Sequence, residues 1–496
     1  MPLSPLRLRL LIVSVLTVSL LGALDHTIVS TSLATVAGSL GALESMSWVV
    51  VGYTLASTVV LPVIGKLADL IGARTVFLWS LVVFLLASLA CGFAGTMSML
   101  IVARVVQGMS SAGLQLMSQT IIAEATTPRE RPKYMGIIGA AFPIAILVGP
   151  VVGGLITDYW GWPWIFWINL PLGVVAFALA VIAVPAIPRR PSRGRYDYAG
   201  TVSLTVGLVG LVLAVSWLGD PALASTVVVG FAVSAIAFAA FFWIELRVAE
   251  PLVPLRHFRN RTVSAGIGLS VIIGIGLFSV TAYLPTYVQM AYGASATMSG
   301  LVPIATVMGM LITNLLTGFL ASRTGRYRIF TIIGTALGAA GMLAMSLLPV
   351  GAPLWVPMAV MFVVGIGTGS FMSLIITVVQ AAVPRSETGS ITATINLVRQ
   401  VGSTVATAVI GVVIAVGVAG GLPAGLDAST LTPQAVLASG PAVQDAVAEL
   451  YVHVISPVFA GLAAVYAVGI VAAILLPRGR LTDDAPVDDL ARSTSA

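Results

Sequence analysis

Fourteen apolar stretches, each of membrane-spanning length, alternate with short polar junctions along these 496 residues. They fall near 10–34, 47–65, 75–95, 98–122, 134–156, 164–185, 198–218, 224–244, 263–288, 299–321, 329–348, 354–380, 391–418 and 454–476. Spanning a hydrocarbon slab takes about 20 mostly apolar helical residues. The pattern therefore predicts an all-α integral membrane protein with fourteen transmembrane helices. The third and fourth runs, and the twelfth and thirteenth, are separated by the least polar sequence.

The junctions carry a second pattern. With a cytoplasmic N-terminus, the outward junctions hold Glu44, Asp158, Asp220, Asp427, Asp445 and Glu449, and no Lys or Arg. The inward ones hold Lys66 and Arg74; Arg129, Arg131 and Lys133; Arg189, Arg190, Arg193 and Arg195; Arg247, Arg256, Arg259 and Arg261; Arg323, Arg326 and Arg328; and Arg385. Positive charge gathers on cytoplasmic loops, so both termini are expected in the cytoplasm, and an odd helix count breaks the alternation. Arg104 and Arg399 alone lie inside apolar runs.

The basic linker 188–197 and the loop 245–261 bracket helices seven and eight, and six helices remain on each side. The expected units are a bundle over 1–188, a linking pair over 189–260, a second bundle over 261–477 and a disordered cytoplasmic tail over 478–496. A weak repeat relates the bundles. The helix 2–3 junction runs from Gly65 through Asp69 and Gly72 to Arg74, and the helix 10–11 junction from Gly318 through Ser322 and Gly325 to Arg326. Two such halves around a midplane site are a transporter pattern. The outer loop 420–453 is the one long loop, with a short helix expected at 442–452.

Composition narrows the classes. Charged residues make up 8%, against about 25% in soluble domains. The net charge of +6 sits in the inner junctions and points to topology, not to nucleic acid. A single Cys91 rules out an internal disulfide and reads as a small core residue. There is no metal or redox motif, no HExxH, no paired intrahelical acids and no nucleophile–base set, so neither enzyme activity nor a cofactor is expected. Arg7 and Arg9 before an apolar run mimic a signal peptide, yet no small-residue cleavage site follows. The first helix is expected to be retained.

Asp25 stands out chemically. It lies about sixteen residues past Arg9, roughly 24 Å up a helix rising 1.5 Å per residue. A charged Asp near a bilayer centre costs roughly 2.5–3.5 kcal/mol, so it faces a watery cavity, pairs with a cation, holds a proton, or serves as a fixed hydrogen-bonding group. His26, next in sequence, points elsewhere on the helix. On helix four, Arg104, Gln107, Ser111, Gln115 and Ser118 share one face and are expected to line a cavity. Arg104 matches Asp25 in depth; it either pairs with that acid or snorkels outward. Helix thirteen presents Asn396, Arg399, Gln400 and Ser403 on one face, with snorkelling again open for Arg399.

Two stretches suit conformational change. Gly65 to Arg74 is either a latch, with Asp69 accepting the free N–H groups of a helix N-terminus, or an ordinary turn. Helix five carries Gly139, Pro143, Gly149, Pro150, Gly153 and Gly154. Its prolines each remove one helical hydrogen bond, and its Gly149/Gly153 face allows close packing, for rocking or for simple stability. The aromatic segment from Asp158 to Pro171 reads as an interfacial anchor.

Five of these motifs, in order, resemble the major facilitator superfamily, in particular its fourteen-helix drug:proton antiporters of the QacA/EmrB type. They are Leu24-Asp25-His26-Thr27-Ile28-Val29, Gly65 to Arg74, Arg104-Val105-Val106-Gln107-Gly108, Gly149-Pro150-Val151-Val152-Gly153-Gly154, and Asp197-Tyr198-Ala199-Gly200 running to Leu204. Leu70 replaces the Arg expected after the loop acid, the Pro expected late in the first motif is absent from Thr31–Val36, and Ser322 replaces the acid of the second loop copy. The resemblance implies two six-helix bundles plus two linking helices. It implies a monomer in the bacterial inner membrane that exports lipophilic, often cationic compounds against a proton gradient. Asp25 and Arg104 are the expected proton-coupling pair, with Gln107, Ser111, Gln115, Asn396, Arg399 and Gln400 in the substrate cavity. Gly65, Asp69, Gly72, Arg74, Gly139, Gly149, Pro150, Gly153, Gly154 and Asp197 are the expected switch residues. Two other readings stay open: a dedicated exporter of one endogenous metabolite, lipid or antibiotic, and a sensor or scaffold that does not transport.

Overall fold

The computed structural model describes residues 4–41, 45–185, 196–218, 221–248, 251–422 and 432–482. Among these are fourteen helices long and apolar enough to cross a bilayer. They are α1 (Pro5–Ser39), α2 (Met46–Ile71), α3 (Ala73–Gly92), α4 (Met97–Ala125), α5 (Arg131–Trp160), α6 (Trp164–Ala183), α7 (Tyr198–Ser216), α8 (Ala224–Glu245), α9 (Arg261–Tyr292), α10 (Ala296–Thr324), α11 (Arg328–Ser346), α12 (Trp355–Ala381), α13 (Thr388–Gly421) and α14 (Pro441–Leu475).

Local chemistry sets several boundaries. Thr96 caps α4 by accepting the Met99 N–H at 3.3 Å, and Asn260 caps α9 by accepting that of Thr262 at 2.8 Å; such caps contribute about 1 kcal/mol each. Gly72, at φ 91°, makes the sharp turn between α2 and α3 that a side chain would strain. In α5, Pro143 cannot bond the Gly139 carbonyl, and the helix breaks at Ala140. It runs unbroken past Pro150. In α9, a π-turn occupies Gly274–Phe278.

Helices α1–α6 share cores built on residues such as Phe77, Phe84 and Leu116, and Ile28, Leu100 and Phe166. Helices α9–α14 enclose another, with Tyr287, Met310, Phe371 and Phe459. Lipid is as apolar as these side chains, so close contact rather than water expulsion holds such helices together. A Cβ on Gly108, for example, would stand 2.3 Å from the Tyr53 carbonyl oxygen, which shows how closely α4 crosses α2. Helices α7 and α8 pack on each other, with Ser234 Oγ donating to the Gly207 carbonyl at 2.8 Å. They meet the second bundle through Leu204, Leu208, Phe241 and Leu397.

One expectation changes. The short helix expected at 442–452 is the first part of α14, because nothing in that stretch stops a helix that begins at Pro441; a separate short helix covers Pro433–Leu437. Gly325 ends α10 in a left-handed turn, and its carbonyl accepts the Leu481 N–H at 2.9 Å, while Tyr327 OH donates to the Pro477 carbonyl at 3.0 Å. Residues 483–496 lie outside the described residues, as do Glu44, Asp220, Asp427, Arg189, Arg190, Arg193, Arg195 and the 188/189 boundary.

Candidate functional site

Asp25 lies in the first bundle, 1% exposed, and α4 and α6 supply the donors to its carboxylate. Arg104 of α4 donates from Nη1 to Oδ2 at 2.6 Å. Gln107, one turn along, donates from Nε2 to Oδ1 at 2.7 Å, and Asn169 of α6 donates from Nδ2 to Oδ1 at 3.1 Å. Behind them, Ser88 of α3 accepts from Gln107 at 2.8 Å and from Asn169 at 3.3 Å. Gln107 Oε1 in turn accepts from Arg104 at 2.8 Å and from the Cys91 thiol at 3.4 Å. Every named group at the carboxylate is a donor. A protonated carboxyl would bring its own donor and must displace one of them. Arg104 Nη1 bridges both Asp25 and Gln107, so its release disturbs both.

The Arg104 guanidinium also lies over the Tyr53 ring, 4.1 Å from its centroid. Tyr53 and His26, edge to face at 5.7 Å between centroids, form part of the wall of a central cavity. That cavity has a volume of about 340 Å³ and is lined from α1, α2, α4, α5, α12 and α13. Asp25, Arg104 and Gln107 are not among its lining residues; they stand one layer behind Tyr53 and His26. Ser111, Gln115, Arg399 and Gln400 line it, with Gln119 and Ser403.

Two expectations are therefore corrected. Gln107 does not face the cavity, because both ends of its amide are used around Asp25. Asn396 faces α4 instead: its Nδ2 donates to Gln119 Oε1 at 2.8 Å, and its Oδ1 accepts from Arg399. His26 lines the cavity that its sequence neighbour Asp25 does not reach.

At the end of the bundle that bears Lys66, Arg129 and Arg385, the halves are joined. Asp69, at the end of α2, accepts the N–H of Gly389 at 2.9 Å, the N–H of Ser390 at 2.9 Å and the Ser390 hydroxyl at 2.5 Å. These are free donors of the α13 N-terminus, where a negative charge is favoured. Gly65 and Gly389 let the helices approach: a Cβ on Gly65 would stand 2.9 Å from the Gly389 carbonyl oxygen. The second loop copy makes a complementary junction. Arg129 donates to the Ser322 and Arg323 carbonyls at 3.4 and 3.3 Å, a cation at the α10 C-terminus. The α5 segment before its break joins in, with Asn314 of α10 donating to the Gly136 carbonyl at 3.5 Å and lying against Gly139.

A profile of the Major Facilitator Superfamily matches residues 15–407. This chain belongs to the major facilitator superfamily. Among its relatives, the uncharacterized MFS-type transporter Rv1877 of Mycobacterium tuberculosis is 36% identical over 393 residues, 79% of this chain and 57% of that protein. The chain thus spans little more than half the length of that relative. The multidrug transporter protein MdtP of Bacillus subtilis is 33% identical over 388 residues, 77% of this chain and 71% of its own. The fold also matches the human organic anion transporter MFSD10, with a TM-score of 0.64 at 15% identity, over 94% of this chain and 99% of that one.

Within this major facilitator chain, the remaining motif residues take varied places. Gly149 sits against Thr27, whose hydroxyl donates to the Ala145 carbonyl at 3.0 Å, and the Gly153 carbonyl accepts from Ser32 at 3.5 Å. Gly154 faces open space, so it takes no part in that helix contact. Arg74 does not join the Asp69 junction; as the second residue of α3 it points to the α6 terminus and donates to the Val181 carbonyl at 2.8 Å. Asp197 caps α7, its Oδ1 accepting the Gly200 N–H at 2.7 Å. Sequence reasoning missed Ser88, Tyr53 and Asn169. Asn169 had a signal, an amide buried in an aromatic anchor segment, while a Ser or a Tyr in a membrane helix carries almost none.

Proposed function

We propose that this protein is a proton-coupled efflux transporter for lipophilic small molecules, working by alternating access in a bacterial inner membrane with both termini in the cytoplasm. The supporting observation is the donor-saturated carboxylate of Asp25, one layer behind the cavity wall and tied through Arg104 to Tyr53 in that wall. In this reading a proton reaching Asp25 from outside displaces Arg104, loosens the wall around Tyr53 and lets the cavity reorganise. Residues 1–188 and 261–477 rock against each other, the pair over 189–260 follows, and the Asp69 junction holds the cytoplasmic side closed. With its inward-pointing basic end shut, the conformation is the one from which cargo leaves outward.

Asp25 is the single acid deep in a helix, so one proton is exchanged per cycle. The membrane potential contributes about 2.3 kcal/mol per charge per 100 mV. Exchange of one proton for a monovalent cation, the cargo implied by resemblance, moves no net charge and draws on the pH gradient alone.

A narrower substrate range is a second reading. Fourteen of the 25 residues lining the cavity are polar and offer groups that a matched cargo could bond, although most of the lining surface is apolar. The deciding experiment is substrate-induced proton release in reconstituted vesicles, wild type beside Asp25→Asn. Release in the wild type and none in the variant is expected. Equal signals would remove Asp25 from coupling, and no release from either would favour the non-transporting reading.

A further inference from the structure

Resting on that transport reading, we propose that the cavity takes amphiphilic organic carboxylates, with the carboxylate held by Arg399. Arg399 lines the cavity from α13 and is 8% exposed, and no carboxylate is among the lining residues. Asp25, the acid of the neighbouring network, is committed to Arg104 behind Tyr53. One Arg399 donor goes to Asn396 Oδ1. Asn396 cannot turn away, because its own amide N–H groups are given to Gln119 and to the Thr392 carbonyl. The guanidinium is thus aimed by a fixed amide while its other donors keep the fork geometry that suits a carboxylate.

A buried cation with no counter-charge is costly in a membrane and marks a functional site by default. An incoming carboxylate removes that cost and adds charge-assisted hydrogen bonds. The adjoining backbone is unusual as well: the π-turn of α9 lies against Arg399, so close that a Cβ on Gly274 would stand 2.1 Å from the Arg399 carbonyl oxygen. Such turns are frequent at functional sites. Ser403 and Thr404 add hydroxyls to the same cavity lining, and Met135, Phe142 and Met372 give it an apolar wall. A volume of about 340 Å³ suits one small amphiphile. The coupling changes accordingly. A monoanion leaving while one proton enters moves two positive charges inward per cycle, so the membrane potential drives its export.

The test is equilibrium dialysis of the purified full chain in detergent, against a detergent-only control, with 1-naphthylacetate, neutral 1-naphthylacetamide and cationic 1-naphthylethylamine. The acetate is expected to bind at least tenfold more tightly than the other two. Arg399→Gln should bring acetate binding down to the level of the acetamide, with an unfolding midpoint like that of the wild type reporting an intact fold, and Arg399→Lys should keep part of the preference. Acetate binding no tighter than that of the amide or amine, a preference that survives Arg399→Gln, or no saturable acetate binding overturns the proposal. A second measurement uses wild-type vesicles at zero pH gradient: an imposed potential, negative on the cytoplasmic face, should speed acetate export and not amine export. Faster amine export overturns the carboxylate assignment. Tight acetate binding without any gradient-driven flux supports the assignment and defeats the transport reading on which it rests.

Discussion

Two arginines lie deep in apolar sequence, one in each half of the molecule, and their surroundings differ. Arg104, 1% exposed, has a full counter-charge in Asp25, an aromatic face in Tyr53 and a second acceptor in Gln107. Arg399 has an amide oxygen for its acceptor, and one side open to the cavity. The first arrangement is internally satisfied, and in the proposed mechanism it is the proton, the smallest agent that can break it, that opens it. The second is unfinished and responds to whatever enters the cavity with the opposite sign. The proposed function and the proposed carboxylate site thus place coupling and recognition in different halves, with Tyr53 and His26 on the cavity wall between them.

The largest test of this contrast is stability. Asp25→Ala leaves Arg104 buried without its partner, which typically costs about 3–5 kcal/mol. Arg399→Gln removes a lone cation and is expected to stay within about 1 kcal/mol of wild type, or above it, because the desolvation cost disappears with the charge. Thermal unfolding midpoints in detergent read both. Combining Asp25→Ala with Arg104→Met should recover most of the loss, since neighbouring partners are not additive. Equal penalties at the two arginines would end the distinction between them.

Much of this arrangement was legible in the residues. The period and length of the apolar runs, with the alternation of basic junctions, define fourteen helices and their pairing into two halves. The equal depth of Asp25 and Arg104 already suggested their contact. What periodicity cannot give is the direction of an individual side chain once helices pack. Gln107 and Ser111 share a helical face four residues apart, yet the first turns into the Asp25 network and the second lines the cavity. Asp69 was readable as an acid for a helix N-terminus, but the helix that supplies it, α13, is 320 residues away and no local spacing names it. Arg74, adjacent to that junction in sequence, was drawn to the free carbonyls of α6 instead.

The Asp69 junction gives the intermediate effect. Asp69→Asn keeps the shape and loses the charge that faces the α13 N-terminus. Hydrogen bonds to charged groups contribute about 1.5–3 kcal/mol, so the closed state should lose roughly 10- to 150-fold in relative population. A cysteine placed at Ser373, on the cavity wall beside Gly139, reports this by its labelling rate with an impermeant thiol reagent added at the cytoplasmic face; Cys91 is fully buried. An unchanged rate would mean that the α5–α10 contact closes this end without Asp69.

The smallest expected effect sharpens the comparison most. Ser88 touches Asp25 only through Gln107 and Asn169, accepting one N–H from each. Ser88→Ala removes that acceptor but leaves all three donors to Asp25 in place. A loss of about 1 kcal/mol is expected, the usual contribution of such a bond, with proton release per substrate unchanged. Gln107→Leu is the contrasting variant, because it strips a direct donor from Asp25 and an acceptor from Arg104 together. It should change proton release where Ser88→Ala does not. If Ser88→Ala silences release as completely as Asp25→Asn, the proton is not confined to Asp25. The Ser88 hydroxyl would then belong to its path, and the first half would hold a relay in place of a single titrating acid.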